Sequence, residues 1–429
     1  MSAVAQGGLA PLRRELDEGL VVIASRSEAS PAVALSLSLE SGSFHDPAEK
    51  PGVGHFLSRV IDRGTANRSA DDIADLLDTA GVVLSASITR HQLTLSCTCL
   101  ADDFPAMLAL VADIARHPTL PDGEVETRRA EIVTGLVQDA DNPAVVTGEG
   151  LFELLYADGH PYGRRAKGTP ASVQRITRDD LAAFHAARIA AAPATLVVVG
   201  NVDAEAAADR AAGVFAGWRS GQPARRGRDE VPPVPAAESR AQRRVAMPGK
   251  AQADVAYGFV TVRRDDPDYY DVWLMNNVLG QYGLGGRLAD NIRERQGMAY
   301  YAFSMFDAGL GQGPLVIRAG VDPANVERVI ASIDEEVARM ARDGVTEKEL
   351  ADSKQYLAGS IPRMLETNAG VAAFLQTAEF FRLGLDHDRR LPAYIAAVTR
   401  DGVAAAARRF LSPERAAIVV AGPPGPTSP

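Results

Sequence analysis

Two stretches of this chain repeat one another. Residues 176–200, ITRDDLAAFHAARIAAAPATLVVVG, align without a gap with residues 398–422, VTRDGVAAAARRFLSPERAAIVVAG, 222 positions further on. Each copy opens with Thr-Arg-Asp, whose side-chain oxygens suit the free N–H groups of a first helical turn. Each continues as an Ala-rich helix pattern and ends in a β-branched run closed by Gly, the signature of a buried strand. A repeat at that distance leaves little choice of architecture: the chain carries two copies of one unit, each of about 200 residues.

Other features recur in the same order. DDFPAMLALVADIAR and PANVERVIASIDEEVARM both space their apolar residues helically. Leu120-Pro-Asp-Gly-Glu and Val345-Thr-Glu-Lys-Glu each open a further helix. Ahead of those lies a strand pair in each half, VVLSASITRHQLTLSC in the first and YYAFSMFDAGLGQGPLVIRAG in the second. The expected fold is α+β: two homologous α/β-roll domains, each a largely antiparallel sheet with several long helices. Residues 220–239, SGQPARRGRDEVPPVPAAES, combine Pro, Gly and charge without apolar periodicity and read as the linker. The expected domains are therefore 1–219 and 240–421, and 422–429 forms a disordered tail.

Composition narrows the function. The net charge is −10 and the pI near 5.3, so there is no basic footprint for nucleic acid or an anionic membrane. No apolar run reaches the length of a bilayer span. The start, MSAVAQGGLAPLRRELDEGL, lacks the basic and apolar regions of a secretory leader. Only two cysteines occur, Cys97 and Cys99, alternating on a strand pattern where a mutual disulfide would be strained. They read as small apolar fillers. The cytoplasm is the expected compartment, the periplasm being open if a leader precedes this start.

One segment has the pattern of a catalytic helix. Pro51 to Thr65 reads PGVGHFLSRVIDRGT, with Phe56, Leu57, Val60 and Ile61 making one buried face and Gly64-Thr65 closing it. It resembles the zinc helix of the M16 metallopeptidases (the pitrilysin, insulin-degrading enzyme and mitochondrial processing peptidase type), G-x-x-H-x-x-E-H-x-x-x-x-G-T. In that family both histidines bind zinc, the intervening glutamate is the general base, and a glutamate about 76 residues further on is the third ligand. The spacing has a physical basis, since i and i+4 share a helical face and three protein ligands leave a position for water.

In this chain His55 matches the first histidine, Ser58 stands at the base, Arg59 at the second histidine and Gly135 at the distal glutamate. A serine is no carboxylate base, and a permanently charged guanidinium repels a dication. The seven histidines supply no other pair at i, i+3 or i, i+4. A set assembled in space from Glu131 and His55 is the remaining alternative. No bound metal is expected on this chain, and no peptidase activity by the chain alone.

The second half retains a different signature. Gly283 to Ser304, GLGGRLADNIRERQGMAYYAFS, resembles the family's G-G-x-x-S-R-L-x-x-x-x-R-E-x-x-G-L-A-Y. Members that cleave peptides use an Arg and a Tyr there, and Arg293 and Tyr300 match them; Tyr301 adjoins but fits the spacing less well. The resemblance implies that Arg293 contacts the substrate backbone and Tyr300 donates to the oxyanion. The plain alternative is an exposed helix arginine and a packed strand aromatic. The likeness extends to His160-Pro-Tyr-Gly163 and Gly168.

Lost zinc ligands beside a kept Arg/Tyr pair imply the non-catalytic subunit of a heterodimeric zinc peptidase. Its partner would be a homologous chain with an intact H-x-x-E-H helix and the zinc, and its substrate an extended peptide. Two other readings stay open at this point: a structural or peptide-holding protein without a role in proteolysis, and an active metallopeptidase with an atypical metal site.

Overall fold

The computed structural model describes residues 8–16, 19–157, 159–190, 192–218, 230–281 and 285–424. The strands of the first half are β1 (Leu12–Glu15), β2 (Leu20–Arg26), β3 (Ala32–Leu39), β4 (Ser85–Ile88), β5 (Leu93–Leu100) and β6 (Ala194–Gly200). Its helices are α1 (Val53–Val60), α2 (Ala70–Ala80), α3 (Phe104–Arg116), α4 (Asp122–Ala140), α5 (Pro143–Leu155), α6 (Pro170–Arg175), α7 (Arg178–Phe184) and α8 (Ala204–Phe215). The second half supplies β7 (Ala241–Ala246), β8 (Ala253–Val260), β9 (Ala299–Phe306), β10 (Pro314–Val321) and β11 (Ala417–Gly422). Its helices are α9 (Tyr269–Asn276), α10 (Val326–Asp343), α11 (Glu347–Met364), α12 (Asn368–Phe380), α13 (His387–Ala397) and α14 (Arg400–Phe410).

The duplication is visible in the wiring. The first sheet runs β1-β2-β6-β3-β5-β4 and the second β7-β11-β8-β10-β9. Without β1 the two orders coincide. Each is antiparallel except where the strand that closes the repeat, β6 or β11, pairs in parallel with the opening strand, β2 or β7. The caps coincide as well: Thr177 Oγ1 accepts from the Asp180 amide and Thr399 Oγ1 from the Gly402 amide. The one departure in the cap motif is the third residue. Asp180 reaches back to the Thr177 amide, whereas a side chain at 402 would meet the Asp271 carboxylate at 2.6 Å. That carboxylate accounts for the glycine.

The chain forms two compact units that are not contiguous in sequence. One gathers residues 1–136, 165–229 and 361–389; the other gathers 137–164, 230–360 and 390–429. In the first unit, one sheet face carries Leu20, Val22, Leu35, Leu37, Leu93 and Leu196 into the core against α1, α3 and α8. The opposite face presents Ser36 and Thr195, and α12 covers it: Ser36 donates to Gln376 Oε1 at 2.9 Å and Gln376 donates to the Thr195 carbonyl at 3.3 Å. In the second unit α5 lies on β8 and β11 through Leu151, Ala256, Val316 and Val419. Gly258 makes room, since a Cβ there would meet Leu151 at 3.0 Å. Each sheet thus borrows a helix from the other half of the sequence for its second face.

Residues 220–229 of the expected linker and 425–429 of the expected tail lie outside the described residues; 230–239 form neither helix nor strand. Cys97 and Cys99 are free and buried on β5, their thiols pushed up to about 12 and about 11 by burial, as apolar fillers require. Among the described residues no helix is long and apolar enough to cross a membrane.

Candidate functional site

The helix that resembles a zinc helix forms as its pattern demands. Gly52 enters it at φ 96°, and the Asp46 carboxylate caps it by accepting from the amides of Gly52 at 2.7 Å and Gly54 at 3.0 Å. Gly54 is required by that close approach, since a Cβ would stand 2.9 Å from Asp46 Oδ1. Phe56, Leu57, Val60 and Ile61 are fully buried. At the far end Thr65 Oγ1 donates to Asp113, which also accepts from Asn67 and Arg68. Burial alone would raise that carboxyl, but these donors hold it below its ordinary value. The Gly-Thr close of the motif is thus a structural fastening.

The positions of α1 that match the family's zinc residues are otherwise engaged or differently charged. His55 is half-buried. Ser58 is 4% exposed and spends its hydroxyl on the His55 carbonyl at 2.8 Å. Arg59 is exposed. On α4, Gly135 faces open space, and Glu131 accepts two hydrogen bonds from Arg128, at 2.8 and 2.7 Å. Arg129 stacks over the Phe56 ring at 5.1 Å, tying α4 to α1. Asp62 is raised above the ordinary aspartate value by burial, with Arg63, Arg128 and Arg59 opposing the shift. These residues do not fit zinc: two of the family's three ligand positions and its base are side chains that cannot serve. Among the described residues no group of three His, Cys, Asp or Glu is placed to hold a metal.

The second signature begins with a fastening too. Arg287 is buried, donates to both oxygens of Glu349 at 2.7 and 2.8 Å and to the Gly344 carbonyl at 2.8 Å. Burial would raise the Glu349 carboxyl, but Arg287 and the Thr346 cap outweigh it and hold it at about 2. Thr346 and Glu349 form the reciprocal box that starts α11. Then comes a π-helical segment, Ala289–Arg295, with Ile292 buried and Arg293 exposed. Gly297, at φ 61°, returns its amide to the Arg293 carbonyl at 3.0 Å. Arg293 pairs loosely with Glu294 at 3.5 Å, an exposed pair worth little.

The segment packs against β9, the edge strand that carries Tyr300 and Tyr301. The two tyrosines have opposite fates. Tyr301 donates to Asp254 Oδ2 at 2.7 Å, which together with burial raises its phenol well above the ordinary value. Tyr300 is 82% exposed. The β9–β10 register explains why: Gly320 pairs with Tyr301 and Val321 with Ala299, so Tyr300 is the extra residue of a β-bulge. Bulges re-aim side chains in this way. A π segment and a bulge, both uncommon, fall on the two residues that the resemblance singles out. The pairings of Asp254 with Tyr301 and Arg318, and of Glu349 with Arg287, had no sequence signal, because they close over 47, 64 and 62 residues, whereas the Asp46 and Thr346-Glu349 caps are local.

Comparison with known proteins bears on the family and the fold. The family model described as insulinase (peptidase family M16) matches residues 21–160, and the one described as peptidase M16 inactive domain matches residues 175–357. An uncharacterized zinc protease of Mycobacterium tuberculosis is 30% identical over 428 residues, covering 97% of this chain and 94% of that protein. An uncharacterized zinc protease of Bacillus subtilis is 24% identical over 355 residues, 83% of this chain and 84% of that one. The crystal structure of a peptidase M16 inactive domain from Pseudomonas fluorescens is similar with a TM-score of 0.87 at 25% identity, covering 98% of this chain and all (100%) of that chain. A protease from Helicobacter pylori shares the fold, with a TM-score of 0.87 at 18% identity over 97% of this chain and 100% of that one.

Proposed function

The chain belongs to peptidase family M16, and from that premise we propose that it is the non-catalytic, substrate-binding subunit of a two-chain zinc peptidase. The observation that carries this reading is the contrast between the two signatures. Ser58, Arg59 and Gly135 replace what a metal needs, while Arg293 and Tyr300 stand exposed on adjoining elements. In this reading the metal and its water belong to a homologous partner with an intact H-x-x-E-H helix.

The chain's own residues then bind and polarise. Arg293 offers a guanidinium fork to a peptide carbonyl. Tyr300 donates its phenolic O–H to the oxygen on which negative charge develops when the carbonyl is attacked. A donor already aimed at that oxygen costs no reorganisation during the reaction, which is why it lowers the barrier. The substrate is an extended peptide, held by strand addition at a sheet edge, where main-chain hydrogen bonds accept many sequences. β9, which carries Tyr300, is such an edge.

The test is co-expression with a zinc-bearing homologue and assay of the mixed complex on extended peptides. Arg293→Ala combined with Tyr300→Phe is expected to lower kcat by about 10²–10³, the cost of removing an oxyanion donor. An unchanged rate would overturn the proposal and leave a peptide-holding role without proteolysis. Metal analysis of the purified chain alone checks the other alternative: about one equivalent of zinc would contradict the reading of Ser58, Arg59 and Gly135.

A further inference from the structure

Tyr300 has nothing of its own to hold it. It sits one residue inside the end of an edge strand, at a bulge, with its side chain in solvent. Strand ends of this kind fray, and a frayed tyrosine is no preorganised donor. Its neighbour is held in an unusual way. Tyr301, Gly320 and Asp254 form one row across three strands: Gly320 pairs with Tyr301 on one side and with Asp254 on the other. The middle of the row has no side chain, and the Tyr301 ring shares the vacant space with the Gln252 amide. A Cβ at 320 would collide with Gln252 Nε2 and stand 2.5 Å from Tyr301 Cε1 and 2.9 Å from Cζ. Crossing that gap lets the phenol donate to Asp254 Oδ2, two strands away, at 2.7 Å. Arg318 holds the other carboxylate oxygen at 3.0 Å and also donates to α5, to the Ala144 carbonyl at 2.5 Å and to Thr147 Oγ1 at 3.1 Å. Asp254 is buried. An unpaired carboxylate there would be costly, so this network is under pressure to stay closed.

We infer that Tyr301, Gly320, Asp254 and Arg318 form a clamp that fixes the bulge and thereby holds Tyr300 in its outward orientation. All four are positioning residues for Tyr300. The clamp pins the backbone one residue from the bulge, so the extra residue has a single way to point. Its catalytic consequence rests on the role proposed above for Tyr300, but its existence does not.

The clamp is tested on the chain alone by amide hydrogen exchange at residues 299–301, together with the 19F resonance of 3-fluorotyrosine placed at 300. Tyr301→Phe removes one hydrogen bond and keeps the ring. It is expected to speed exchange at 299–301 about tenfold, more than elsewhere in the sheet, and to broaden the 300 resonance. Gly320→Ala drives a methyl into both the Gln252 amide and the Tyr301 ring and is expected to do the same more strongly. Met305→Ala, further along the same strand and exposed, is the control and should change neither signal. Wild-type exchange and an unchanged resonance in Tyr301→Phe would overturn the clamp, even if Gly320→Ala failed to fold. The mixed complex separates the two claims. With the clamp intact as argued, Tyr301→Phe lowers kcat at constant KM and adds nothing in a Tyr300→Phe background. Faster exchange with an unaltered rate would keep the clamp and remove the oxyanion role of Tyr300.

Discussion

The outer face of α1 and the corner where the π segment meets β9 have aged differently. At α1 the backbone is intact: the Asp46 cap, the Gly54 approach, the buried Phe56 and Leu57 and the Gly64-Thr65 fastening all remain. What departs from the family's zinc motif is the side chains at Ser58, Arg59 and Gly135. At β9 a bulge turns Tyr300 out, and Arg293 stands exposed on the adjoining π segment. The difference shows what each kind of site tolerates. A metal site needs several ligands converging on one point, so losing two abolishes it. Hydrogen-bond donors act one by one and survive without a metal beside them.

The comparison breaks most visibly if the metal face can be refilled. Ser58→Glu with Arg59→His and Gly135→Glu is expected to raise bound zinc from none to about one equivalent by elemental analysis after dialysis. Position 135 has open space for the new side chain. No zinc in a folded triple variant would mean that the face was lost in its backbone as well. The next largest effect is on stability. Phe56→Ala should cost about 3–5 kcal/mol by denaturant unfolding, because the inner face of α1 is still core. A value near zero would mean that the helix is vestigial throughout. Arg287→Ala should cost about 2 kcal/mol, since it strips a buried guanidinium from Glu349 and the Gly344 carbonyl.

A pH series sharpens that last point. Glu349 is held at about 2 in the fold against an ordinary 4.5, so its contribution is complete above 4.5 and disappears as the pH falls toward 2. Arg287→Ala should flatten the acid limb of the stability curve within that window. The smallest effect is Tyr300→Phe, expected to stay within about 0.5 kcal/mol of wild type in stability, because its hydroxyl touches solvent. A larger loss would place Tyr300 in the architecture and weaken its assignment as a donor.

Much of this was legible along the chain, for local reasons. The repeat predicts two sheets of like wiring because the same helix-to-strand pattern must pair the same way twice, and β6 and β11 do so. The Thr177 and Thr399 caps follow from residues three apart. Arg293 and Tyr300, like the positions that match the family's ligands, came from the resemblance to the M16 motifs. The exchange of α5 and α12 between the halves was not legible. Helical periodicity in Val371, Phe374, Leu375 and Ala378 says that one face is apolar, and nothing in it names the sheet that receives that face.

The tyrosine pair makes the same division at the scale of one residue. Sequence spacing preferred Tyr300 to Tyr301, but two adjacent tyrosines on a strand are chemically alike until their surroundings differ. Those surroundings are Asp254, Arg318 and the missing side chain of Gly320, brought together from three strands. The sequence by itself determined the duplication, the element order, the failure of the metal motif and the candidates for the remaining chemistry, all of which depend on residues near one another in the chain. Only the tertiary structure decided which helix covers which sheet face, that Arg287 is a fastening, and that Tyr301 is anchored while Tyr300 is free. Those outcomes depend on contacts closed over long loops, where burial and partner geometry set the energy and local pattern carries no information about either.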